Sequence, residues 1–270
     1  MTTAAWQHIR LSLLACLLTL AWGCASQSFS PAHTPLVSPP RPYVAPLIGP
    51  VRTIVVDAGH GGSDPGASHF GLQEKQLNLD IARRLRRALQ DTGLSVVMTR
   101  ETDQFIPLSR RPAVANRLQA DLFVSVHSNA NRNRRVSGAE VYYPRESVVS
   151  PTAQWPPSVA PAEVGIPSTT VKQILWDLFL VRARSQSRTL ASTICHAMHD
   201  GLQVHCRVAK PARFVVLREA WMPAVLVEVG YVTNQTEASR LGSAEYREAA
   251  AQAIARGIVS YIRGLGAEHI

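Results

Sequence analysis

Apolar residues fall along this chain in two rhythms, short β-branched runs and longer stretches with a four-residue repeat. From residue 52 the run Arg-Thr-Ile-Val-Val-Asp suits a buried strand, and it breaks into a tight loop at Ala58-Gly-His-Gly-Gly62. Leu77, Ile81, Leu85 and Leu89 then recur at helical spacing over residues 74–92, with Gly93 placed to end the helix. A second strand is predicted at 94–99, a second helix at 108–119, and a third strand at 121–127 around Phe-Val-Ser-Val. Residues 138–143 read as a further strand, 171–203 as a helix, 213–217 and 224–229 as strands. The stretch 243–265 reads as a terminal helix with Ala250, Ile254, Ile258 and Ile262 on one face. The βαβαβ order predicts an α/β fold: a single domain with a mainly parallel, roughly six-stranded sheet, right-handed crossovers and flanking helices.

Upstream of that domain the rhythm is different. Arg10 precedes an apolar run at 11–22, followed by Gly23, Cys24, Ala25 and Ser26, the layout of a signal peptide over residues 1–23. The run is short of the ~20 apolar residues of a membrane span, so export is expected rather than a permanent transmembrane helix. Ala21-Trp22-Gly23-Cys24 resembles a bacterial lipobox, with Ala21 where leucine is usual, so lipid on Cys24 is the favoured processing and cleavage after Ala25 the alternative. Either places the domain in the periplasm or cell envelope, lipid attachment adding a membrane contact. Residues 24–50 carry Pro31, Pro35, Pro39, Pro40, Pro42, Pro46 and Pro50 and read as a tether. The domain is expected over 51–266, interrupted by a proline-rich insert at about 144–168.

With 46% hydrophobic and 17% charged residues the chain has the composition of a globular protein. Its formal charge is +9, and removing residues 1–23 takes away Arg10 and no acid, leaving 9 − 1 = +8. A basic exported domain suits anionic polymers such as a cell wall, and no nucleic acid partner is expected.

The candidate chemistry sits where elements end. His60 lies just past the first strand and His127 at the tip of the third, and in a parallel sheet those tips share one edge. Glu74 opens the first helix and so returns to that edge. Two neutral imidazoles and a carboxylate leave a fourth tetrahedral position for water, the donor set of a catalytic zinc site. Glu228, at the end of Ala224-Val-Leu-Val-Glu, is costly to bury unless it faces a site, and it suits a general base.

Several motifs occur in order: Val-Val-Asp-Ala-Gly-His60-Gly-Gly-x-Asp64-Pro-Gly66, Glu74-Lys75, Thr99-Arg100, Leu108-x-x-Arg111, Ala115-Asn116, Ala120-Asp-Leu-Phe-Val-Ser-Val-His127-Ser-Asn129 and Pro223-Ala-Val-Leu-Val-Glu228-Val-Gly-Tyr-x-x-Asn234. Together they resemble the zinc-dependent N-acetylmuramoyl-L-alanine amidases that split daughter cell walls, over residues 52–265. The resemblance implies hydrolysis of the amide between N-acetylmuramic acid and L-alanine in peptidoglycan. It also implies His60, Glu74 and His127 as Zn2+ ligands and Glu228 as the catalytic glutamate. In regulated relatives a helix in the region of the insert covers the metal until a protein activator withdraws it. Here Glu146 and Glu163 are the only acids between Pro144 and Pro167, and a helix from Ser168 through Leu180 is the segment available to lie over the cleft. Core packing is expected for most of its apolar residues, Ile174, Leu175, Trp176, Leu178 and Phe179.

Plainer roles stand beside these. Helix capping is the plain role for Glu74, and an ion pair with Arg218 that for Glu228. His196 and His199, three apart on a helix, lack an acidic third ligand and read as a solvated face; His69 reads as exposed. Asn129 and Ser125 flank His127 as supports, Ser125 on its side of the strand, while Asp57 and Asp64 suit turn hydrogen bonds in the glycine-rich loop. Cys195 and Cys206 either pair or remain free thiols. Two other functions stay open: a zinc peptidase or carboxypeptidase, and a wall-binding module without turnover.

Overall fold

The computed structural model describes residues 51–145, 169–208 and 211–267. The signal peptide, the lipobox with Cys24, the tether, and the insert beyond Arg145 with Glu146 and Glu163 lie outside the described residues.

Strand β1 (Thr53–Ala58) leads through a small hairpin, β2 (Ser68–His69) and β3 (Leu72–Gln73), into helix α1 (Glu74–Gln90). β4 (Ser95–Met98), α2 (Arg110–Leu118), β5 (Leu122–Asn129) and β6 (Ala139–Tyr142) follow. The second half comprises α3 (Thr169–Leu202), β7 (Cys206–Val208), α4 (Val215–Arg218), β8 (Ala224–Tyr231), α5 (Gln235–Gly242) and α6 (Ala244–Ala267). The main sheet has six strands in the order β4-β1-β5-β8-β6-β7. All neighbours run parallel except β6 and β8.

Strand alternation divides the core into two layers. Ile54, Val56, Val124, Val126, Val225 and Val227 face Leu77, Ile81, Leu85 and Leu89 of α1 together with Ile194 and Met198 of α3 and Ile254 and Ile258 of α6. The alternate positions Val55, Phe123 and Leu226 meet Ala115 of α2 and Val216 and Leu217 of α4. A side chain such as Leu85, wholly buried, contributes about 1.5–3 kcal/mol by leaving water. α1 ends where Gly93 takes φ +87°, a conformation that costs glycine little.

The expected strand at 213–217 is instead the one-turn helix α4. Its Val216 and Leu217 pack on the face of the sheet, while the edge beside β6 is taken by β7. β7 and α5 were not legible in the pattern. α5 is preceded by Asn234, whose side chain accepts the Glu237 N–H, as an N-cap does.

The start of α3 does not lie over the strand tips. Trp176 meets Trp221 edge-on at 5.6 Å, and Phe179 and Arg182 border a cavity shared with Asp121, Leu122 and Pro223 at the amino ends of β5 and β8. Trp176 is buried as expected, yet Ile174, Leu175 and Leu178 are 53%, 42% and 60% exposed. They follow the outer face of the helix, and core packing fails for them.

Candidate active site

Beyond β1 the chain turns through His60, whose backbone sits at φ +59°, a left-handed conformation that costs a non-glycine residue about 1–2 kcal/mol. Its surroundings hold it there. The His60 carbonyl accepts from Arg111 Nη2 at 2.9 Å, and ring Nδ1 lies 2.7 Å from Asp64 Oδ2. Asp64 is itself steadied by the Gly66 N–H at 3.1 Å, so its expected turn role is met along with contact to the imidazole. Ring Nε2 is thereby left facing Glu74 Oε1, at 3.1 Å.

His127 reaches the same oxygen from β5, its Nδ1 at 3.0 Å, and the two imidazoles stand 5.0 Å apart at 76°. This approach depends on Gly59: a Cβ there would lie 2.3 Å from the His127 ring. Glu74, at the first turn of α1, also accepts from the Ala67 N–H at 2.9 Å, and from Asn78 Nδ2 and the Ser128 N–H, both at 3.3 Å. Burial alone would raise its pKa, but hydrogen bonds from His127 and His60 and their charge outweigh that and hold the carboxyl far below the usual range. Burial likewise opposes charge on His60, yet Glu74 and Asp64 push its pKa above the ordinary value.

One donor atom from each of His60, Glu74 and His127 lies within 4.8 Å of the others. Bonds of ~2.0–2.1 Å around a tetrahedral zinc put donors ~3.3 Å apart, close to both Glu74–imidazole separations. The donor set and its spacing therefore fit a zinc ion, with Asp64 orienting one imidazole from behind.

Glu228 stands in register with His127 on one side and Glu140 on the other. It is buried, and among the described residues its Oε2 has no hydrogen-bond partner. Burial pushes its pKa well above the usual carboxylate range, and the charges of Glu74 and Glu140 add to the effect. Glu140 is engaged by Tyr142, whose hydroxyl donates at 2.6 Å, and by Asn129 Nδ2 at 3.4 Å. Arg218 pairs with Glu219 at 3.3 Å, so the ion pair considered for Glu228 does not form.

The chain matches the N-acetylmuramoyl-L-alanine amidase family over residues 54–260. It belongs to that family. N-acetylmuramoyl-L-alanine amidase AmiA of Escherichia coli K12 is 35% identical over 222 residues, 79% of this chain and 77% of AmiA. Among solved structures, amidase AmiC2 of Nostoc punctiforme is 33% identical with a TM-score of 0.61, covering 78% of this chain and 97% of that one. An N-acetylmuramoyl-L-alanine amidase from Clostridium difficile 630 is 28% identical with a TM-score of 0.64, covering 80% and 98%. The amidase is thus a hydrolase of the bond between N-acetylmuramic acid and L-alanine in peptidoglycan.

Around the site of the amidase several residues act whose role the sequence did not disclose. Arg100 gives hydrogen bonds to the carbonyls of Ala58, Gly59 and Lys75 at 2.8–2.9 Å, and Arg111 to those of Ala58, His60 and Ile106 at 2.7–3.1 Å. Two buried guanidiniums thereby clamp the loop that carries His60. Both stood in the motifs as lone arginines after a strand or in a helix, a weak signal for such a task. Asp57 serves this clamp rather than a turn. Wholly buried, it accepts from Arg111 at 2.9 Å, Thr99 Oγ1 at 2.6 Å and Ser125 Oγ at 2.7 Å. Ser125 does share the His127 side of β5, but its hydroxyl goes to Asp57. His196 and His199 turn Nδ1 to the carbonyls of Ser192 and Val204, and among the described residues neither joins a group of three or more metal-capable donors. Cys195 and Cys206 are joined by a disulfide, Cα atoms 5.5 Å apart, which resolves the open alternative in favour of pairing.

Proposed function

We propose that the amidase is zinc-dependent, with His60, Glu74 and His127 holding the ion and Glu228 as the general base. When bound there, zinc supplies a lowered pKa for water and polarises the scissile carbonyl. Glu228 takes the proton of the attacking water and delivers it to the departing L-alanine nitrogen. Asp64 keeps Nδ1 of His60 occupied so that Nε2 faces the ion, while Asn78 and the Ser128 N–H hold Glu74 in place. The observation that carries this reading is the conjunction of three donors within 4.8 Å and a buried carboxylate oxygen with no partner in the next strand. Such an oxygen costs stability unless it has a task.

The test is digestion of purified peptidoglycan with and without chelator, followed by identification of the fragments. Release of intact stem peptides with a free L-alanine amine, abolished by chelator and restored by Zn2+, is expected. Free D-amino acids would favour the peptidase reading instead. Glu228→Gln should retain metal and lose at least ~100-fold in turnover, and equal activity would remove Glu228 from the mechanism. We further propose that the enzyme is exported, carries lipid on Cys24 and reaches the wall through the proline-rich tether, acting in wall remodelling or daughter-cell separation. The mass of the mature N-terminus tests the lipid.

A further inference from the structure

On the loops that continue the elements of the candidate metal cluster lies a groove of about 410 Å3, lined by His69, Ala130, Asn131, Arg132, Arg134 and Thr233. That volume is in the range of small-ligand sites, ~300–1,000 Å3. Its walls continue the elements that carry the site: His69 belongs to the hairpin leading into Glu74, residues 130–134 follow His127, and Thr233 follows β8 with Glu228.

The loop is held from within. The Asn131 N–H donates to Thr233 Oγ1 at 3.0 Å, the Asn133 N–H to Asn131 Oδ1 at 2.9 Å, and the Arg135 N–H to Asn133 Oδ1 at 3.0 Å. Asn234 Nδ2 ties the Arg134 carbonyl at 3.0 Å. Asparagines at 131 and 133 are thus spent on the backbone, while the alternating Arg132 and Arg134 are exposed. Among the described residues no carboxylate lines the groove. Among the described residues neither guanidinium enters an ion pair, whereas Arg84, Arg86 and Arg111 each lie within 3.0 Å of an acid. Two uncommitted guanidiniums on a braced loop that follows the strand of His127 form a receptor for a planar anion.

We propose that Arg132 and Arg134 bind the carboxylate carried by the residue after L-alanine in the stem peptide, so that the amidase prefers acidic stems to stems amidated there. The proposal rests on the amidase reading of the same site. The glycan beside the scissile bond is neutral, and the residue after L-alanine is the nearest carrier of a free carboxylate. Its carboxamide form has no net charge and presents N–H donors to a groove already rich in them.

Two soluble substrates whose γ-carboxyl is closed by a further residue, MurNAc-L-Ala-γ-D-Glu-L-Lys and its α-amidated form MurNAc-L-Ala-D-isoGln-L-Lys, differ only at that carboxyl and separate the cases in the purified amidase. The acid should have a kcat/KM about tenfold higher at low salt, the lower end for a charge-assisted hydrogen bond, and the gap should narrow as salt rises. Arg132→Gln/Arg134→Gln should bring the ratio near one, chiefly through KM. A charge-matched Arg117→Gln/Arg188→Gln control should keep it. Calorimetric binding of the two free tripeptides, L-Ala-γ-D-Glu-L-Lys and L-Ala-D-isoGln-L-Lys, reads the same preference without turnover. An unchanged ratio in the groove variant, or no preference in the parent at low salt, overturns the proposal. So does loss of binding to a phosphate-bearing wall polymer with the ratio intact, which would assign the arginines to wall attachment. Failure to cleave either substrate while the binding preference survives would count against hydrolysis at this site and still support the arginine assignment.

Discussion

Arg111→Met tests whether the buried clamp holds the His60 loop. The Arg111 and Asp57 side chains are 2% and 0% exposed and 2.9 Å apart. Methionine fills much of the same volume but removes the charge and four hydrogen bonds, to Ile106, Asp57, Ala58 and His60. Asp57 would keep Thr99 and Ser125, both neutral donors, and would remain a buried carboxylate without its directly bonded cation, Arg100 acting on it only through its nearby charge. Breaking such a pair from one side costs about 3–5 kcal/mol, a large part of the ~5–15 kcal/mol that stabilises a domain. At about 2–4 °C per kcal/mol for this size, melting should fall by on the order of 10 °C. Urea denaturation followed by circular dichroism measures the loss. Asp57→Asn/Arg111→Met, which removes both charges, should recover part of it. A single variant within about 1 kcal/mol of the parent, or a double variant no more stable than the single, would refute the reasoning.

Three further outcomes are expected. Gly59→Ala, whose Cβ would stand 2.3 Å from the His127 ring, should displace that imidazole and lower metal content and kcat/KM, the latter by ~100-fold; full metal content by elemental analysis would contradict it. Reduction of Cys195–Cys206, which closes a loop of sequence separation 11, should cost about 2.5–3 kcal/mol. Melting should then drop by ~5–10 °C, and curves with and without reductant that coincide would exclude this. Asp80 is half-buried, which by itself raises its pKa, but hydrogen bonds from Arg247 and Arg84 prevail and hold it below the ordinary 3.8. A depressed carboxylate stabilises the fold above its ordinary pKa and stops doing so as pH falls through the folded value. Asp80→Asn should therefore be less stable at pH 7, by under ~1 kcal/mol given its exposure, with the gap closing below about pH 4. A gap that widens in acid would reverse the assignment.

Local pattern carried much of this molecule. The β-branched runs at β1, β5 and β8 and the four-residue repeat of α1 are short-range signals. Their βαβαβ order makes the sheet parallel, and parallel strands bring their carboxyl ends to one edge. That is why the sequence alone groups His60, Glu74 and His127, far apart in the chain. Other features depend on partners distant in sequence. β7 has three residues, too few for a period, and exists by pairing with β6. The apolar run around Val215 fits strand or helix equally, and the choice fell to packing on the sheet face. Glu140 stands beside Glu228 only through the antiparallel register of β6 on β8, and Arg100 and Arg111 find the His60 loop across separations of 41 to 53 residues. A periodic side-chain pattern reports which face is buried; it carries no information on which buried groups become neighbours, because that follows from strand register and helix packing, which form only when the whole sheet closes around its core.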